Sequence, residues 1–121
     1  MKRDLDLIRD ILLHIEKMDD GGSGWVDEWG DLSDVDDKTR IDHVKMLWEV
    51  GYIDATDASS MSGTHYIPRR ITMAGHDYLD SVRDPKIWRD TKSGLKKVGG
   101  GASLAIIQAL ANGLINKALG I

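Results

Sequence analysis

Cysteine is absent from the 121 residues, which excludes disulfides, thiolate metal sites and cysteine nucleophiles and suits a reducing cytoplasm. The opening residues, Met1 to Asp6, are charged and run straight into a helical pattern. They lack the apolar core of a signal peptide, so secretion is not expected. Histidine is sparse: His14, His43, His65 and His76 stand far apart, without acidic neighbours at ligand spacings, and no zinc site is legible. Asp31, Asp34, Asp36 and Asp37 lack the glycine and the terminal glutamate that a calcium loop requires. Gly22, Ser23 and Gly24 lack the strand and helix of a nucleophile elbow or phosphate loop and read as a linker. His76 beside Asp77 and Tyr78 could suggest acid–base chemistry, but a histidine on the first turns of a packed helix more simply caps or bonds backbone. Neither an enzyme nor a cofactor is expected.

What is present is one domain's worth of apolar residues and a very uneven charge. The length supports a single ordinary core with a tail. Net charge is −4, yet residues 1 to 37 hold four basic and twelve acidic side chains, whereas residues 38 to 98 hold eleven basic and eight acidic. Phosphate binding responds to local potential more than to the total, so an acidic first third is compatible with a nucleic-acid surface elsewhere.

Hydrophobic spacing sets the elements. Leu5, Leu7, Ile8, Ile11, Leu12 and Ile15 form one stripe between Arg3 and Met18, predicting an amphipathic helix that Asp19 to Gly24 ends. The acidic stretch from Trp25 to Asp37 fits neither period and reads as a short strand or turn, then a short helix near Ser33. From Lys38 to Ile53 a helix carries Ile41, Val44, Leu47 and Trp48 inward and leaves Lys38, Arg40, His43 and Lys45 outward. Gly51 stops it, and Tyr52 and Ile53 begin a strand. A second extended run, His65 to Ile71, follows a polar tip from Asp57 to Thr64. Pro68 cannot donate a ladder hydrogen bond and places this run at a sheet edge. Arg69 and Arg70 are adjacent and leave opposite faces, so at most one of them serves a given partner.

Thr72 caps a helix running to about Arg83, with Ala74, Tyr78, Leu79 and Val82 inward and Gly75 permitting a close neighbour. Asp84 and Pro85 form a cap and first-turn pair for a helix to about Val98, with Trp88, Thr91, Leu95 and Val98 inward. Lys86, Arg89, Lys92, Lys96 and Lys97 make its surface basic. The glycines at 99 to 101 form a hinge. Beyond them Leu104, Ile107, Ala111, Leu114, Ala118 and Ile121 recur at heptad-like spacing, with Gln108, Asn112 and Asn116 opposite. This last helix is too short to stand alone in water and must dock on its own domain or on another chain. Four glycines, two asparagines and a glutamine between residues 99 and 116 argue against a membrane span.

The opening from Met1 to Leu12, the stretch from His43 to Leu47 with Gly51 to Ile53, and Ile71 to Asp80 with Ile87 and Trp88 resemble an uncharacterised domain family of bacteria and their prophages, described only as of unknown function. The resemblance covers nearly the whole chain. It implies a winged-helix-like fold in a phage or mobile-element setting and carries over no catalytic residues. The acidic run with Trp25 and Trp29 departs from the pattern, standing where a helix-turn-helix would show its first short helix.

The combined expectation is a mainly α fold with a small β-hairpin (α+β): a winged helix-turn-helix over residues 1 to 98, then an apolar helix over 99 to 121. The leading functional expectation is a cytoplasmic, oligomeric DNA-binding transcriptional regulator. Lys38, Thr39, Arg40, His43 and Lys45 would approach double-stranded DNA, with His65 and Arg69 or Arg70 on its backbone from the wing. Leu104, Ile107, Ala111, Leu114, Ala118 and Ile121 would join protomers. The alternative is a protein-interaction module that uses the same scaffold without touching DNA and binds a basic host or phage factor through Trp25, Trp29 and the surrounding carboxylates.

Overall fold

A computed structural model describes residues 2–19 and 24–121. Most of the expected stop from Asp19 to Gly24, and the linker within it, lies outside the described residues. The described residues are mainly helical with one two-stranded antiparallel hairpin, an α+β arrangement. Two compact units divide it, Met1–His76 and Asp77–Ile121.

In the first unit α1 spans Leu5–Met18. Asp4 caps it by accepting the Leu7 N–H at 3.1 Å, and Asp6 in the first turn and Lys17 in the last complement the helix dipole. Leu7, Ile8, Ile11, Leu12 and Ile15 are buried, as their spacing predicts. In the acidic stretch the Val26 N–H donates to the Pro68 carbonyl at 2.8 Å, before a 3-10 turn at Gly30–Asp34. The short helix expected near Ser33 is this 3-10 turn, whereas residues 25–29 form neither the strand nor the turn expected before it.

Helix α2 spans Asp37–Glu49, capped by Asp36. Val44 and Leu47 are buried and Ile41 is half-buried. Trp48, expected inward, lies at the exposed edge, its ring 5.9 Å from that of Tyr66. Gly51 adopts φ 83°, and the chain turns directly into β1, Ile53–Asp57. Strand β2, Tyr66–Ile71, pairs with it from Ile53 opposite Ile71 to Asp57 opposite Tyr66. The register runs from Asp54 opposite Arg70 to Ala55 opposite Pro68, so Arg69 is an extra residue facing no partner. A bulge beside a proline that cannot donate is the expected irregularity of an edge strand.

Helix α3, Met73–Val82, begins in the first unit. The Thr72 hydroxyl accepts the Gly75 N–H at 3.2 Å and donates to the Gly51 carbonyl, tying the end of α2 to the start of α3. A Cβ on Gly75 would lie 2.0 Å from the Tyr52 carbonyl oxygen, so this helix packs on backbone that only glycine admits. Ala74, expected inward, is exposed.

In the second unit Tyr78, Leu79 and Val82 are buried. Asp84 accepts the Ile87 N–H at 2.9 Å and caps α4, Pro85–Leu95. Trp88, Thr91 and Leu95 are buried. The expected α-helix to Val98 ends instead in a 3-10 turn, Lys96–Val98, which swings Val98 out to solvent. The glycines at 99 to 101 lead into α5, Leu104–Leu119, capped by Ser103. Helices α4 and α5 pack closely, a Cβ on Gly94 lying 3.1 Å from a Leu110 methyl. The Ser81 hydroxyl meets Asn112 Oδ1 at 2.8 Å. Leu104, Ile107 and Ala111 are buried within the chain itself. Those three, expected between protomers, are core residues because α5 docks on its own unit first. Leu114 is half-buried, whereas Ala118 is exposed and Ile121 is 84% exposed.

Candidate interaction surfaces around the central helix

The side chains expected to face DNA from α2 have four different fates. His43 is 0% exposed, which corrects the expectation that it points outward. Its Nε2 accepts the Asp4 N–H at 2.9 Å. Its Nδ1 therefore carries the proton and donates it to the Thr39 carbonyl at 2.7 Å. His43 is a peg joining α2 to the entry of α1. A heptad reading could have found it, since it lies four residues before Leu47, but its polarity argued for solvent.

Arg40 is turned inward as well, its side chain only 12% exposed. The guanidinium donates to the Leu32 and Val35 carbonyls, each at 3.2 Å, and to Asp37 at 2.7 Å. It also lies 5.4 Å from the centre of the Trp29 ring. This one cation fastens the acidic 3-10 turn to α2, which corrects the expectation that it points outward. Thr39 is half-buried, its hydroxyl donating to Asp36 at 3.2 Å.

Lys38 and Lys45 remain at the surface, but each meets a carboxylate one turn on: Lys38 to Asp42 at 2.8 Å and Lys45 to Glu49 at 3.7 Å. The hydrogen bond between them raises the Lys38 pKa and lowers that of Asp42. From Asp36 to Glu49 three cations stand against four carboxylates. The surface of α2 is close to neutral, not basic.

On the hairpin the bulge breaks the expected alternation: Arg69 and Arg70 are both exposed, between buried Pro68 and Ile71, and they meet different partners. The Arg69 guanidinium lies 4.9 Å from the centre of the Trp25 ring, while Arg70 pairs across the strands with Asp54 at 2.9 Å. His65 is exposed at the tip, where its carbonyl accepts the Ala58 N–H at 2.9 Å.

The two tryptophans of the acidic stretch are unalike. Trp29 is 9% exposed and stacks on the His14 ring at 5.4 Å, while His14 Nε2–H donates to the Glu28 carbonyl at 2.6 Å. Trp29 is thus a clasp between α1 and the turn, buried in the free chain. Trp25 stays 48% exposed. Between α2 and the hairpin lies a small open pocket of about 100 Å³, lined by Trp29, Asp37, Arg40, Ile41, Val44, His65 and Tyr66. Its lining mixes apolar side chains with Arg40, His65 and Asp37, the last with a side chain 82% exposed. No motif in the sequence announced this pocket, because it is assembled from three separate segments.

His76 Nδ1 lies 3.7 Å from a Glu16 carboxylate oxygen. Among the described residues no group of three or more histidine, aspartate or glutamate side chains is placed to hold a metal ion, and no helix is long and apolar enough to cross a membrane.

A small helical protein with one bulged hairpin and an acidic turn clasped to its central helix is the class these features define. Residues 2–102 match the family model described as hypothetical protein DUF2513, and the chain belongs to that family. It is similar to an uncharacterized protein of Haemophilus influenzae, 33% identical over 119 residues that cover 98% of this chain and 99% of that one. No solved structure matches it.

Proposed function

We propose that the Met1–His76 unit is a winged-helix-like protein-binding module, acting by binding rather than catalysis, whose ligand is a basic segment of another protein. The observation that carries this reading is the state of α2. Its buried histidine, its sealed arginine and its two paired lysines leave no free cationic face for a phosphate backbone. Asp37 lines the pocket beside it, and Asp31, Asp34 and Trp25 are exposed in the same acidic stretch. The unit holds nine basic and sixteen acidic side chains, so it attracts cations at long range and repels polyanions.

A lysine or arginine of the partner would enter the pocket with its aliphatic stem on Ile41 and Val44 and its charge towards Asp37. Self-association through α5 would rest on its last turn, with Ala118 and Ile121, since the earlier seam residues are already covered.

The test is the affinity of the full chain for a lysine- and arginine-rich peptide, read by fluorescence anisotropy. The double variant Asp31→Lys, Asp34→Lys alters only exposed side chains and is expected to weaken binding about tenfold, the equivalent of about 1.4 kcal/mol. Unchanged affinity in that variant, or no binding by the wild-type chain, contradicts the reading.

A further inference from the structure

We infer that the outer face of α4 and its 3-10 extension is a sequence-independent binding surface for the phosphate backbone of duplex nucleic acid. At about 100° per residue Lys86, Arg89 and Lys92 fall on one side of α4, away from the buried Trp88, Thr91 and Leu95, and at about 120° per residue through the 3-10 turn Lys96 and Lys97 continue that side. Lys86, Arg89, Lys96 and Lys97 are exposed. The nearest carboxylate on this face, Asp90, is engaged by Arg89 at 3.3 Å, and Lys92 lies over the Trp88 ring at 5.6 Å. Lys86, Lys96 and Lys97 make no ion pair among the described residues. On α2, by contrast, all three cations are paired. Over the whole Asp77–Ile121 unit seven basic side chains face four acidic ones.

The geometry selects the kind of polyanion. Lys86 to Lys97 spans about 16 Å of helix at about 1.5 Å per residue. A duplex offers one negative charge per about 1.7 Å of its axis, so phosphates lie along that whole length. The face carries no exposed aromatic ring, since Trp88 is buried, and so lacks the stacking platform that single strands use. An interfacial helix would turn its apolar side to lipid, and the apolar side of α4 is already spent on its own unit. Charge without stacking or apolar insertion fits a duplex backbone. The surface belongs to the other unit from the protein-binding pocket and stands or falls independently of it.

The experiment is fluorescence anisotropy of the full chain with two labelled duplexes of unrelated sequence across a salt series. Both are expected to bind with similar affinity, and log affinity should fall against log salt with a slope of about −3 if three phosphates are neutralised. The variant Lys86→Glu, Lys96→Glu, Lys97→Glu should lose binding at least tenfold. The variant Lys38→Glu, Lys45→Glu should keep the wild-type slope. Circular dichroism checks that both remain folded. Three results overturn the inference: no duplex binding at micromolar protein in low salt, equal binding by wild type and the α4 variant, or capture by phosphatidylserine vesicles without duplex binding.

Discussion

The two compact units spend their cations in opposite ways. In Met1–His76 every arginine and lysine of α2 is turned back onto carboxylates or carbonyls of its own chain, and the unit is strongly acidic. In Asp77–Ile121, a basic unit, Lys86, Lys96 and Lys97 make no ion pair among the described residues. A helix therefore cannot be read as phosphate-binding from its basic residues alone. The carboxylates one turn away and the carbonyls that fold back on it decide whether its charge is available.

The sharpest way to break this contrast is through the glycines that let each unit close. Gly75→Ala drives a methyl into the Tyr52 backbone, which cannot yield as a side chain would. It should cost about 3 kcal/mol or prevent folding. Gly94→Ala meets only a flexible Leu110 methyl at 3.1 Å and should change stability by under about 1 kcal/mol, gaining helix propensity in return. Denaturant titration of the two variants compares them directly. Equal losses would mean that the α2–α3 junction is looser than described.

Next in size are the two polar residues of α2 that the fold consumes. His43→Ala removes a buried ring and orphans the Asp4 N–H, and should cost about 2–3 kcal/mol. Arg40→Ala releases the Leu32 and Val35 carbonyls and should cost about 1–2 kcal/mol. Lys45→Ala, on the same helix but at the surface, should stay within about 0.5 kcal/mol. Similar values for all three would mean that α2 is an open cationic helix after all.

In the second unit the seam of α5 separates core from free end. Ile107→Ala should lose about 2–4 kcal/mol of stability. Ile121→Ser should leave thermal unfolding unchanged and instead lower any dimer fraction seen by sedimentation. A destabilised Ile121→Ser monomer would show that the last turn is packed.

The smallest effect is electrostatic. The Lys38 hydrogen bond holds Asp42 below its ordinary 3.8, and the hydroxyl and N–H of Ser59 do the same for Asp57. Both carboxylates are thus more acidic folded than unfolded. Their stabilisation is present above pH 3.8 and fades as pH falls through the lower folded values. Asp42→Asn and Asp57→Asn should lower stability slightly at neutral pH and not at low pH, which flattens the acid limb in an acid-unfolding titration; the effect is small because both groups are exposed. An acid limb as steep as that of the wild type would remove the effect.

Much of the fold was legible in the sequence where local rules operate. The α1 stripe, the Asp84 and Pro85 start of α4, the Gly51 stop and the close approach at Gly75 all follow from spacing or from a single residue's backbone needs. Pro68 places its strand at an edge, but the bulge at Arg69 is not read from the sequence. What the sequence withheld was the destination of polar side chains. His43 finds its partner 39 residues away at Asp4, and Arg40 depends on carbonyls freed by a 3-10 turn whose period resembles nothing regular. Trp25 and Trp29 look equivalent in an acidic run, and only the stack of Trp29 on His14 separates a clasp from an exposed ring. The helix of α4 was read correctly as basic, but in sequence it carried no more weight than α2, because pairing within a helix is a matter of which rotamers meet.

Carbethoxylation of the native protein, followed by peptide mass spectrometry, tests the fate of α2 most directly. His65, exposed on the hairpin, should be modified readily while His43 stays protected until the protein unfolds. Modification of His43 at the rate of His65 under native conditions would contradict the account, returning α2 to the solvent and its cations to an open face.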